Sequence, residues 1–167
     1  MTIIRPERPE DFEAIDTVHT AGFPTIAEAR LVRVLREAGR LTASLVAEVE
    51  GQVVGHVAFS PVSTATEAIG AGLAPVAVLP SHQRPGIAAQ LIEAGLSASR
   101  SAGVGWAVVL GEPAYYARFG FRPARGFGLS DAYGGGDAFQ ALELIPGSLP
   151  EGAGLARYAP EFASLEV

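Results

Sequence analysis

At 167 residues the chain is long enough for one domain with a real core and too short for two comfortable ones. Nearly half of it is apolar (49%), yet no uninterrupted apolar stretch could cross a bilayer, and a net charge of -6 lacks the cationic surplus that polyanion binding needs, so neither membrane nor nucleic acid is expected as a partner. The absence of cysteine excludes disulfides, thiolate metal sites and cysteine nucleophiles, and "MTIIRPERPEDF" has no secretion signal, which makes the cytoplasm the expected compartment.

"TIIR" reads as a first strand. "RPEDFEAIDTVHTAGF" follows as a helix, with Phe12, Ile15 and Val18 at helical spacing behind a proline and acidic start. "AEARLVRVLREAGR" repeats the pattern with Leu31, Val34 and Leu35, and Gly39 supplies a stop. "ASLVAEVEGQVVGHVAFSPV" alternates on both sides of Glu50-Gly51 and predicts a β-hairpin. "STATEAIGAG" reads as a loop or irregular approach to a strand, and "LAPVAVLP" as a buried strand ending at Pro80.

A helix follows in which Ile87, Ala88, Leu91, Ile92, Gly95 and Leu96 share one face. "VGWAVVLG" is a second buried strand, so strand, helix and strand predict a parallel pair joined by a right-handed crossover. "EPAYYARFGF" is a short helix stopping before Gly120, "RPARGFGLSDAYGGGD" a surface loop whose Gly134 to Gly136 could give lid-like freedom, and "AFQALELIPGSL" resumes as strand. The fold class expected is mixed α/β in a single domain spanning 1–167. No repeat recurs.

The stretch "LPSHQRPGIAAQLI" places proline and glycine directly before a helix. A helix N-terminus presents unpaired backbone N-H groups and the positive end of its dipole, which together can hold a phosphate. Gly86 admits close approach of an anion, Ala88 keeps the first turn small, and Arg84 adds a nearby positive charge, whereas Pro85 removes one donor. The plainer use of Pro85 and Gly86 is to start a helix. No Gly-Lys-Ser/Thr follows and only one glycine is present, which disfavours a Walker loop, a dinucleotide fingerprint and nucleotide hydrolysis.

"LAPVAVLPSHQRPGIAAQLI" resembles the acetyl-coenzyme A motif of the Gcn5-related N-acetyltransferases (GNAT), with Gln83, Gly86 and Ala88 at the Gln/Arg-x-x-Gly-x-Gly/Ala positions. "YYARFGF" is similar to the family's late aromatic helix followed by Gly-Phe, and the order of elements matches over most of the chain. "GHVAFSPV", "LGEPAYYARFGF" and "YAPEF" resemble the small bacterial YhbS-type branch. The resemblance implies a mostly antiparallel, centrally splayed sheet flanked by helices, and acetyl-CoA as cosubstrate in the cleft between "LAPVAVL" and "GWAVVLG". It further implies that the backbone of Val76, Ala77 and Val78 pairs with pantetheine, and that Gln83 and the amides of Arg84, Gly86, Ile87, Ala88 and Ala89 surround the pyrophosphate.

The implied activity is N-acetylation of a primary amine by direct attack in a ternary complex; the alternative is a noncatalytic acyl-CoA binding or sensing module. Tyr116 suits protonation of the departing thiolate, since a phenol with an ordinary pKa near 10 starts protonated; otherwise it is a core residue beside Tyr115. The family's strand glutamate is missing from "WAVVLG". Glu28 and Glu112 fall near the implied acceptor site and could act as base or bind the amine, or could be solvated helix-start charges. His19, His56 and His82 have no metal-ligand spacing, so no metal is expected. Ser60 lacks a hydrolase elbow, and Trp106 reads as core. A small apolar-rich domain is also compatible with a homodimer.

Overall fold

The Glu50-Gly51 turn sets the register of the antiparallel half: both residues have positive φ (50° and 79°), the combination whose twist matches two flanking strands. It joins β2 (Ala43–Val49) to β3 (Gln52–Ser63), with Val49 opposite Gln52. The computed structural model describes residues 1–83 and 86–165. Among them, β1 (Thr2–Pro6) pairs with β2, and β4 (Ile69–Val78) pairs antiparallel with β3. β5 (Trp106–Leu110) lies parallel to β4, followed by β8 (Phe139–Glu143) and β6 (Arg122–Pro123), both antiparallel to their neighbours. The seven-stranded order is β1-β2-β3-β4-β5-β8-β6. A small separate ladder pairs β7 (Leu129–Ser130) with β9 (Gly154–Leu155).

Helices cover both faces because the strands alternate. Leu45 and Ala47 point into the cluster with Leu91 and Ile92 of α3 (Ile87–Ser101), whereas Val46 packs with Ile15 of α1 (Phe12–Gly22) and Val32 of α2 (Ala27–Glu37). Full burial of Leu91 and Ile92 stabilises by about 1.5–3 kcal/mol each. Gly95 is where α3 comes closest: a β-carbon there would overlap the Phe59 ring. The predicted face of α3 is the buried one, except that Ala88 is only half-buried because it borders the cleft described below.

"STATEAIGAG" is half loop and half strand, as expected: β3 runs on to Ser63, residues 64–68 form the loop, and β4 starts at Ile69. Its glycines are there for close packing, since β-carbons on Gly70 and Gly72 would overlap the Trp106 ring and stand 2.7 Å from Tyr158. "LAPVAVLP" in turn is not regular: Phe59 faces Leu73 and Val57 faces Val76, so Ala74 and Pro75 together oppose Ala58. That bulge bends β4, and Pro75 has no N-H for a ladder. β4 therefore pairs with β5 only at Ala71–Ala107 and Gly72–Val108, and the sheet splays beyond them, as the resemblance implied.

Candidate active site

Splaying leaves the last residues of β4 with β3 on one side and open space on the other. That space is a cleft of about 440 Å³ lined by Val76, Ala77, Val78, Gln83, Gly86, Ala88 and Ala89, with Gly22 and Phe23 from the end of α1 and Tyr115 and Arg118 from the aromatic helix. The floor is fixed by the ladder, which pairs Val76 with Val57, Ala77 with His56 and Val78 with Gly55. Gln83 Nε2 donates to the Val78 carbonyl at 3.3 Å and ties the following loop to the strand. Gly86 is the N-cap of α3 with φ 85°, a left-handed conformation that favours glycine, and its carbonyl accepts the first intrahelical bond, from Gln90 N. The amides of Ile87, Ala88 and Ala89 thus have no acceptor within the helix, and small side chains leave them approachable. Ile87 itself is buried in the core, so only its backbone faces this end of the helix. Arg84 and Pro85, the predicted charge and the predicted lost donor, lie outside the described residues.

Phe23 and Val76 also line an adjoining chamber of about 290 Å³, whose other walls include Glu28, Pro75, Leu110 and Tyr116. Tyr116 ends the short helix α4 (Pro113–Tyr116), which is started by Glu112: its carboxylate accepts from Ala114 N at 3.4 Å. The Tyr116 ring packs edge-on against Tyr115 and Phe121, at centroid distances of 5.0 and 5.9 Å, and lies so close to Gly111 that no larger residue fits without moving it. Burial, with a smaller contribution from Tyr115, pushes the Tyr116 phenol above its ordinary value, so it is protonated at neutral pH. Glu28, in the first turn of α2, is half-buried; its Oε1 is shut off from solvent with no hydrogen-bond partner among the described residues. Glu112 is exposed and lines neither cavity.

Behind the cleft floor runs a buried polar chain. Arg36 donates twice to Glu7, at 2.8 and 2.9 Å, and Ser44 Oγ donates to Glu7 at 2.5 Å. With its proton committed, Ser44 accepts from His56 Nε2 at 2.8 Å; His56 Nδ1 then accepts from His19 Nε2 at 2.7 Å, and His19 Nδ1 is left without a partner. Burial would raise the Glu7 carboxyl, but the hydrogen bonds from Arg36, the nearby His56 ring at 3.6 Å, the hydrogen bond from Ser44 and the Arg36 charge outweigh it and hold Glu7 far below the usual carboxylate range. Burial, then repulsion from His56 and Arg36, lowers His19 to about 3, and burial also lowers His56. Both imidazoles are therefore neutral, matching the single-donor chain.

The family model for the acetyltransferase (GNAT) domain matches residues 41–123, from β2 through the aromatic helix. The chain is 42% identical over 163 residues to the N-acetyltransferase YhbS of Escherichia coli K12, itself uncharacterized, covering 96% of this chain and 98% of YhbS. It belongs to the GNAT family of N-acetyltransferases. The crystal structure of E. coli YhbS in complex with CoA superposes with a TM-score of 0.91 at 41% identity, over 97% of this chain and 92% of that one. A GNAT acetyltransferase from Brucella melitensis, in complex with acetyl-CoA, gives 0.80 at 40% identity, over 97% and 98%.

Of the residues singled out in this GNAT sequence, Val76, Ala77, Val78, Gln83, Gly86, Ala88 and Ala89 meet in the cleft, and Tyr116 and Glu28 meet in the chamber. Gly22, Phe23 and Arg118 were not singled out. Arg118 lies over the Tyr115 ring at 4.3 Å and donates to the Tyr115 carbonyl at 3.1 Å, which holds a cation at the cleft wall. The spacing Tyr115 to Arg118, one helical turn, was its only sequence signal. The histidines pair with one another in the interior at His19 and His56, and among the described residues no group of acidic and histidine side chains is placed to hold a metal ion. No helix among the described residues is long and apolar enough to cross a membrane.

Proposed function

We propose that the chain transfers the acetyl group of acetyl-CoA to a primary amine by direct attack within a ternary complex. The observation that carries this reading is that the cleft and the chamber share Phe23 and Val76, so a thioester at the end of a cofactor laid along Val76 to Val78 meets an amine beside Glu28 and Tyr116. The fit to the cofactor rests on this chain's own surface. Small residues at 86, 88 and 89 and the free amides of the first turn of α3 suit a pyrophosphate, Arg118 supplies a charge for a phosphate, and the strand end formed by the half-buried Val76 and Ala77 and the buried Val78 suits an extended amide-bearing arm.

The neutral amine attacks the thioester carbonyl and a C-N bond forms; collapse breaks the C-S bond. Tyr116 donates its proton to the departing sulfur, and the proton lost by the amine passes to Glu28, directly or through water, and restores the phenol. One proton leaves nitrogen and one reaches sulfur, so acetylated amine and CoA thiol are the only products. Glu112 caps a helix and takes no part in this scheme.

Tyr116→Phe keeps the ring packing and removes the proton. Its kcat should fall by about 10²-fold or more while acetyl-CoA Kd, read by calorimetry, stays within about twofold. An undiminished kcat would reject Tyr116 as the acid. Tight acetyl-CoA binding with no turnover across chemically varied amines would reject transfer itself.

A further inference from the structure

The chamber continues into a third cavity. Leu73, Ala74, Leu110 and Leu165 line both, and beyond them the cavity, about 240 Å³, closes on Tyr133, Tyr158 and Phe162. Among the described residues its lining carries no acidic or basic side chain. The rings already form an ordered wall, with Tyr158 and Phe162 at 4.9 Å and Tyr133 and Tyr158 at 6.0 Å between centroids. Tyr133 is placed by Asp131, whose carboxylate accepts from the amides of Tyr133 and Gly135, so the glycine-rich loop is pinned to this pocket by hydrogen bonds. Phe162 is anchored with Leu31 and Leu35 beneath the C-terminal 3-10 turn. Burial, then Asp131, Tyr133 and Tyr116, push the Tyr158 phenol far up, which keeps this wall uncharged.

We propose that the acceptor is a small primary amine carried on an apolar, ring-sized body, with the ring seated among Tyr133, Tyr158 and Phe162 and the amine beside Glu28 and Tyr116. This rests on the acetyl-transfer reading and names its substrate class. A ring entering the pocket meets aromatic edges and faces at stacking distance and loses no hydrogen bonds to water. A polyamine would instead leave its second ammonium without a carboxylate among the described lining residues, and an aminoglycoside would set most of its hydroxyls against apolar side chains; both are penalised by desolvation. Among the described residues Glu28 is the one acidic side chain lining the chamber, so the site suits one cation at one end of an otherwise apolar molecule.

The experiment pairs steady-state kinetics, with acetyl-CoA held saturating, with calorimetric titration of the amine into the CoA-saturated protein. 2-Phenylethylamine should exceed spermidine, kanamycin and a lysine peptide by at least about tenfold in kcat/KM. Tyr133→Ala and Leu110→Lys, both at partly exposed positions (42% and 38%), should each raise the KM for 2-phenylethylamine by about tenfold and leave acetyl-CoA Kd unchanged. Preference for spermidine, kanamycin or the peptide, or a KM indifferent to both variants, overturns the substrate class while transfer stands. Binding of 2-phenylethylamine that weakens in both variants, with no turnover of any amine, supports the pocket and overturns transfer.

Discussion

Acidification tests the buried imidazole chain, because His19 cannot take up a proton without placing a charge beside His56 and Arg36 in the interior. Its pKa falls from 6.5 in the unfolded chain to about 3 in the folded one. The unfolded state therefore binds the proton first: stability is fully present above about pH 6.5 and is lost as pH falls from there toward 3. At pH 5 the solution stands ~1.5 units below the unfolded value, and at about 1.4 kcal/mol per unit His19 alone removes ~2 kcal/mol. His56, also lowered, adds loss of the same sign. Glu7 and Asp11 are held below the ordinary carboxylate range and remain ionised over this interval, so they do not compensate. For a chain of this size ~2 kcal/mol lowers Tm by about 4–8 °C. The assay is thermal unfolding by circular dichroism at pH 7.5 and 5 for the wild type and His19→Gln, whose amide retains a donor to His56 and has no proton to gain. The variant should lose markedly less between the two pH values. Equal drops in both proteins, or a wild-type Tm constant to within about 1 °C, would refute the assignment of neutral, buried histidines.

Two glycines give further tests. An alanine at Gly86 meets nothing within 4 Å, so the effect comes from φ 85° alone; left-handed strain of about 1–2 kcal/mol should raise acetyl-CoA Kd by roughly tenfold, and an unchanged Kd would show that this conformation does not matter to the cleft. Gly111→Ala presses a methyl group into the Tyr116 ring, 2.9 Å from Cδ2 even at the second-nearest atom. It should lower kcat by about tenfold in the wild type and much less in a Tyr116→Phe background, with acetyl-CoA Kd steady; additive effects in the double variant would disconnect Gly111 from the phenol.

Residue order alone made legible the parts of the molecule that depend on neighbours in the chain. Helical spacing in Ile87 to Leu96, alternation around Glu50-Gly51 and the glycine before α3 each encode a local conformation, and the residues proposed to meet the cofactor are contiguous for the same reason: they form one strand end and one helix start. Tertiary structure decided what depends on distant residues meeting. The bulge at Ala74-Pro75 was hidden inside an apolar run because its register is set by Ala58 on another strand. His19 and His56, unremarkable singly, form one chain only when α1 lies on β3. Glu28 and Tyr116, 88 positions apart, share a chamber, and the aromatic pocket beyond it gathers Leu73, Tyr133 and Phe162 from three separate segments. Periodicity specifies which face of an element is buried; what that face meets across the core is fixed only by how the elements pack.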